Sequence, residues 1–247
     1  MISAFTVEVR RSAARPSRPN AVVGVDLGLT TLATLSNGKM APNPRHLATA
    51  LTRLRATART LARRTGPDRS IRQRRSNRWE KARRKLSRQS ARVANLRRDS
   101  LHKLTTNLAN TYGTIVVEDL HVAGMIKNRR LSRAIADAGF SEFRRQLDYK
   151  MRWRGGRLVI AERWFPSSKT CSTCGAVKPK LPLRARTLGC EHCGLTMDRD
   201  LNAARNLENY YVAQSGWETQ NGRGADQKTG PGPAGGDETS TPRRNTG

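Results

Sequence analysis

The sequence predicts an α/β fold, and three observations predict it. Short runs rich in β-branched residues, Ala21–Gly28 and Thr114–Asp119, each end in acidic side chains, as buried strands with a polar tip do. Long stretches with apolar residues at helical spacing follow them, and alternating strands and helices define the α/β class. Two matched Cys-x2-Cys pairs lie near the C-terminal end, where a small, separately stabilised unit is expected.

In chain order, Phe5–Val9 alternates like a strand, and Arg15-Pro16-Ser17-Arg18-Pro19 reads as a linker, so residues 1–20 are expected to be a lone strand and connector. Ala21–Gly28 is the first central strand. Thr31–Leu35 continues in β-type residues, and Ser36-Asn37-Gly38-Lys39 is a hairpin turn signal. The period then changes. Leu47, Leu51, Leu54, Ala58 and Leu61 step by four and three, an amphipathic helix that Thr65-Gly66-Pro67 stops. A second helix is expected from about Arg74 to Asn110, so residues 46–110 form an antiparallel helical hairpin. Thr114–Asp119 is a second buried strand. One helix is expected over Ser132–Trp153, with Ile135, Phe143, Leu147 and Met151 on one face, then a strand at Arg157–Ala161. The cysteine segment 171–193 follows, then a last helix within 194–212. The Gly/Pro/Ser/Thr-rich segment 213–247 is expected to be disordered.

Charge narrows the function. The 247 residues carry 47 Lys+Arg against 19 Asp+Glu, a net charge of +28. A compact chain with that charge repels itself unless a polyanion is present. The hydrophobic content of 36% excludes a wholly disordered polyelectrolyte. No apolar run is long enough to span a membrane, and no N-terminal signal peptide is apparent. Nucleic acid is the favoured partner. The 37 arginines against 10 lysines reflect codon bias in part, but codon bias does not set the sign of the net charge. Residues 53–103 hold 19 Lys/Arg and 3 acids, so the hairpin is the expected nucleic-acid face, through Arg72, Arg74, Arg75, Arg78, Lys81, Arg83, Arg84, Lys85, Arg88 and Arg92.

Three acidic positions invite a metal. Asp26 ends the first apolar strand, Glu118 and Asp119 end the second, and Asp198-Arg199-Asp200 opens a helix with small residues on one face. A carboxylate at the tip of a buried strand is costly unless a cation neutralises it. Three converging acids make a hard-oxygen site for Mg²⁺, and a two-metal site would hydrolyse a phosphodiester. From the residues alone, Glu118 and Asp119 compete for one role, as do Asp198 and Asp200. Cys171, Cys174, Cys190 and Cys193 have the spacing of a four-cysteine zinc ribbon, and Gly175 and Gly194 follow the two knuckles where the backbone must turn. The cysteine set is complete without His192.

Val23-Gly24-Val25-Asp26-Leu27-Gly28, Ile115-Val116-Val117-Glu118-Asp119-Leu120, Arg163-Trp164-Phe165-Pro166-Ser167-Ser168-Lys169-Thr170-Cys171 and Asp198-Arg199-Asp200-Leu201-Asn202-Ala203-Ala204 together resemble a family. It is the C-terminal, RuvC-like nuclease and zinc-ribbon half of the TnpB (OrfB) proteins of insertion sequences, relatives of the type V CRISPR effectors. The resemblance covers about 20–212. It implies an RNase H-like mixed sheet with an inserted basic hairpin and a zinc ribbon. It also implies Asp26, Glu118 and Asp200 as catalytic Mg²⁺ ligands and a structural Zn²⁺. The partners it implies are DNA and a guide RNA from the same mobile element, in a bacterial, nucleoid-associated, cytoplasmic setting. Typical members carry a β-barrel and a helical module before the first nuclease strand, and here about twenty residues precede it. The expected activity is therefore RNA-guided DNA cleavage, in an N-terminally shortened form. The alternatives are a silent RNA- or DNA-binding fragment that competes with a longer relative, and, less favoured, a strand-transfer transposase.

Overall fold

The computed structural model describes residues 14–182 and 185–222. The expected strand at 5–9 lies outside them. Five strands, β1 (Arg18–Leu27), β2 (Thr31–Leu35), β3 (Met40–Pro42), β4 (Tyr112–Glu118) and β5 (Arg157–Ala161), form one mixed sheet in the order β3-β2-β1-β4-β5. β1, β4 and β5 are parallel, while β2 is antiparallel to both β1 and β3. The β2–β3 connection is the expected hairpin, with Gly38 at φ 85°, a conformation suited to glycine.

Helices α1 (His46–Ala62) and α2 (Asn77–Thr111) follow β3. His46 at the start of α1 meets Ser100 late in α2 (2.8 Å), and Ser76 before α2 donates to the Thr65 carbonyl just after α1 (3.0 Å). These two contacts make the pair antiparallel. Ser76 caps α2 by accepting from the Trp79 N–H. α1 has no cap of its own. Asp137, from α4 (Ser132–Ala138), accepts the Leu47 N–H at 2.9 and 3.0 Å and stands 3.6 Å from Arg97 of α2, tying the hairpin to the body. In α1 the buried position is Thr57, and Ala58, expected inward, is exposed.

After β4 come a short helix α3 (Val122–Ile126), α4, and α5 (Phe140–Trp153). The single helix expected over Ser132–Trp153 is broken at Gly139, which takes φ 71° and ends α4. A left-handed residue cannot continue an α-helix. On α5, buried Lys150 donates to the His102 carbonyl (2.9 Å) and to the hydroxyls of Thr105 (2.7 Å) and Thr106 (2.8 Å) on α2. Three acceptors offset the cost of burying the ammonium, while desolvation lowers its pKa. A two-stranded ribbon, β6 (Thr187–Gly189) and β7 (Thr196–Asp198), precedes α6 (Arg199–Gly222). The ribbon therefore extends past 193. The last helix also runs ten residues beyond 212, into the segment expected to be disordered; 213–222 holds no proline and stays helical. Residues 223–247 lie outside the described residues. The chain divides into a compact unit ending at Tyr211 and a second from Val212, whose described part is the end of α6.

Alternation along the strands decides which helix covers which face. Val23, Val25, Ile115 and Val117 point to one side and pack with Leu101, Leu108, Phe143, Leu147 and Met151 of α2 and α5. Val22, Val116 and Ala161 point to the other, where Leu207 of α6 is fully buried. Gly24 shares that second face. A Cβ there would stand 1.9 Å from the Ala204 carbonyl oxygen of α6, so the α6 backbone lies directly on β1. Gly24→Ala is expected to cost on the order of 1–3 kcal/mol or more, because backbone must move. Thermal denaturation would show it as a lowered Tm; an unchanged Tm would contradict so close a seating.

Candidate active site, metal centre and nucleic-acid face

The alternation that seats α6 also places the acids. Asp26 is two residues beyond Gly24, and Glu118 two beyond Val116, so both carboxylates lie on the α6 face at the C-terminal ends of neighbouring parallel strands. Gly24 abuts Ala204 and Glu208; one turn earlier in α6 stands Asp200. Asp26 is half-buried, and its pKa is raised well above the usual carboxylate range, first by desolvation and then by the charges of Glu118 and Asp200. Burial also raises Glu118. The charges of Glu118 and Asp200 thus oppose the ionisation of Asp26, an opposition of the kind that a hard cation bound there would relieve. Arg186 (3.9 Å) and Arg199 (3.5 Å) approach the Asp200 carboxylate.

The neighbouring acids have other work. Asp119 takes Arg144 (2.7 Å) and Arg163 (2.7 Å), which hold its carboxyl below the usual range. Asp198 Oδ1 accepts the N–H groups of Asp200 (2.9 Å) and Leu201 (3.0 Å) and so caps α6.

Ser167 is a site residue that sequence reasoning passed over. It is buried, and its hydroxyl donates to Glu118 Oε1. Its carbonyl accepts from Asn206 Nδ2 (2.6 Å), while the Thr170 carbonyl accepts from Asn202 (2.7 Å) and Asn206 (2.6 Å). Asn202 Oδ1 accepts the Ser172 N–H (2.9 Å). Two buried asparagines one turn apart on α6 therefore bind the first cysteine knuckle, and the same turn fixes Glu118. The i, i+4 spacing of asparagines on a small-residue helix face was the available signal.

The four cysteine sulfurs lie within 4.8 Å of one another, with Cys171–Cys193 and Cys174–Cys190 each at 3.6 Å. Tetrahedral zinc with Zn–S near 2.3 Å sets sulfurs about 3.8 Å apart, so the donor set fits that ion. The Cys174 N–H, then burial and the Thr173 N–H, act on the Cys171 thiol, and the net effect lowers it to about 6. A thiolate is thereby available for metal near neutral pH.

All ten basic residues expected on the nucleic-acid face are exposed. Arg78, Lys81, Lys85, Arg88 and Arg92 recur at helical spacing along α2, a stripe about 21 Å long at 1.5 Å per residue. Arg72 lies in the turn before α2 with φ 52°. Arg75, Arg83 and Arg84 are not free, since Glu80 engages all three at 3.2, 2.9 and 3.0 Å. Those guanidiniums hold the Glu80 carboxyl at about 2. Glu80→Gln is expected to release three cations. Nucleic-acid affinity should rise, with a steeper salt dependence in a titration of Kd against salt. An unchanged slope would place Arg75, Arg83 and Arg84 outside the contact.

Comparison with known proteins places the chain among relatives. Residues 4–129 match the OrfB_IS605 family, described as "Probable transposase", and residues 140–207 match the "Cas12f1-like, TNB domain" family. A Streptomyces pristinaespiralis protein named "Putative RNA-guided DNA endonuclease" is 46% identical over 187 residues, covering 76% of this chain and 44% of its own length. A Mycobacterium tuberculosis protein of the same printed function is 41% identical over 246 residues, covering 91% of this chain and 50% of its own. The chain spans about half the length of the curated relatives it matches. Among solved structures, the fold resembles the protein in "Cryo-EM structure of the Cas12f1-sgRNA-target DNA complex", with TM-score 0.54 and 16% identity, over 83% of this chain and 52% of that one. No described helix is long and apolar enough to cross a membrane.

Proposed function

Because the chain belongs to the OrfB_IS605 family, we propose that it is the nuclease and ribbon portion of an RNA-guided, Mg²⁺-dependent DNA endonuclease of the TnpB type, built on an RNase H-like (RuvC-like) sheet. The observation that carries this reading is that Asp26 and Glu118 share the sheet face on which α6, bearing Asp200, lies, with the proton affinity of Asp26 raised by burial and by the charges of Glu118 and Asp200. When bound, paired Mg²⁺ ions would supply an activated water and stabilisation of the leaving oxygen. Asp26, Glu118 and Asp200 would hold them.

The chain's own groups set the rest. Ser167 orients the Glu118 carboxylate. Asp198 fixes the start of α6 and therefore Asp200. The end of β1 that carries Asp26 is held from both sides, because Val25 pairs with both Val117 and Leu35. The basic stripe on α2 would grip a nucleic-acid backbone by charge, which suits an enzyme whose sequence reading is done by base pairing. Zn²⁺ would hold the ribbon through Cys171, Cys174, Cys190 and Cys193.

The test supplies Mg²⁺, an RNA from the end of the chain's own mobile element and matching DNA. Cleavage by wild type that Asp26→Ala abolishes is the expected result. If both proteins are equally inert while binding RNA or DNA in a salt-dependent way, the silent-binder reading replaces this one. Strand-transfer products would point instead to a transposase.

A further inference from the structure

We propose that Trp164 is a stacking platform for an unpaired base of the DNA strand presented to the acidic site. This deepens the nuclease reading and rests on it for the identity of the strand. Trp164 is 88% exposed, more than any other large apolar side chain among the described residues. A single exposed apolar residue is ordinary; this one is set apart by the loop that carries it.

The loop leaves β5 at Ala161, which pairs with Glu118, and returns to Glu118 through the Ser167 hydroxyl. Trp164 is three residues from each end, so its backbone lies within about 11 Å of both anchors at about 3.6 Å per residue. Alternate side chains pin the loop from beneath. Arg163 is bound to Asp119 at 2.7 Å, the Phe165 ring packs on Tyr210 with centroids 4.9 Å apart, and Ser167 is buried on Glu118. The tightness continues in the backbone, where Phe165 N–H donates to the Glu162 carbonyl (3.0 Å) and Ser167 N–H to the Phe165 carbonyl (2.8 Å). An indole is thus projected into solvent from a fixed base beside a carboxylate of the candidate centre.

Charge selects the occupant. Along the chain, residues 152–186 hold nine Lys/Arg and one acid, Glu162, so the segment that carries the loop has a net positive charge suited to a polyanion. Aromatic platforms in a basic setting hold single strands by base stacking, which tolerates any sequence. That tolerance fits a site where cutting reads no base.

The test uses the full 247-residue chain without added Mg²⁺ and a single-stranded oligonucleotide carrying 2-aminopurine, with a blunt duplex beside it. Wild type should quench the 2-aminopurine fluorescence. Trp164→Ala should lose the quenching and weaken single-strand binding about tenfold, in line with the worth of one stacked base. The slope of affinity against salt should stay unchanged, because no charge is removed. Trp164→Phe should keep most of the affinity, and duplex binding should not change. Single-strand binding by Trp164→Ala within about twofold of wild type would overturn the proposal, as it would if Trp164 served a protein contact instead. Equal losses on single strand and duplex would also overturn it. Quenching by a wild type that never cuts would remove the nuclease reading and leave the stacking standing. Cutting by wild type with unchanged binding by Trp164→Ala would remove the stacking alone.

Discussion

Asp26→Ala is expected to reduce DNA cleavage by about a thousandfold or more while leaving the metal-free protein at least as stable as wild type. The two effects share a cause. Asp26 sits at the tip of β1, half-buried, facing the charges of Glu118 and Asp200. Loss of one ligand from a two-metal site removes several kcal/mol of transition-state charge stabilisation, and about 1.4 kcal/mol is tenfold in rate. Without metal, the same carboxylate opposes folding. Its pKa in the folded protein is raised, so the native state binds more protons than the unfolded state between the ordinary carboxylate value and the raised one. Asp26's contribution to stability is therefore fully present below the ordinary value and is lost as pH rises through the raised value. A series of thermal melts across that pH range, without added magnesium, should show a decline for wild type that Asp26→Asn flattens. Added Mg²⁺ should restore stability to wild type and not to the variant. A variant that melts lower than wild type at neutral pH, or one that still cuts, would contradict this account.

Removal of zinc is the second large expected effect. Cys171→Ser, or chelation of the native protein, should lower the Tm by several degrees and open residues 171–198 to proteolysis, because ribbon folding and metal binding are one equilibrium. The short strands β6 and β7, three residues each, carry too few pairings to hold alone. The loss should also travel. Asn202 and Asn206 bind the Ser167–Ser172 turn, and Ser167 fixes Glu118. Zinc-depleted protein should consequently respond more weakly to Mg²⁺ in the same melts. Metal analysis that finds no zinc, or a Cys171→Ser protein with unchanged Tm, would count against the ribbon as a zinc site.

The strands were the most legible part of the chain. β2, β4 and β5 lie where β-branched runs announced them, since such residues fit a pleated surface, while β1 begins at Arg18, inside the expected connector. The first hairpin helix was legible from the steps of four and three from Leu47 to Leu61, and the second from its long stretch of recurring apolar residues between Leu86 and Leu108. The break at Gly139 was not, because a glycine inside an apolar period looks like a tolerated residue until its φ is seen. The helical stretch 213–222 was missed for a related reason: polar composition argues against a packed core, not against continuation of a helix already begun at Arg199. In the site, the cysteines were legible because ribbon spacing is set by metal geometry, and here the sulfurs do converge. Glu118 and Asp119 could not be separated from composition. Their alternation on β4, with Asp119 given to Arg144 and Arg163, separates them in the fold. Ser167 was illegible, because a serine in a turn has many uses, and the asparagines Asn202 and Asn206 signalled only through their i, i+4 spacing on a small-residue helix face.

By itself, the sequence determined where the sheet strands and most of the helices lie and that a four-cysteine unit follows them, and its net charge of +28 made a polyanion the expected partner. These follow from period, spacing and charge, which are local or summed properties of the chain. Only the tertiary structure decided which acids share a face, that the first cysteine knuckle is bound to Glu118 through Ser167, and that Trp164 is turned outward beside it. Those facts depend on how close α6 lies to β1 and how one loop is pinned, and distances between remote segments are set by packing rather than by any residue's own preference.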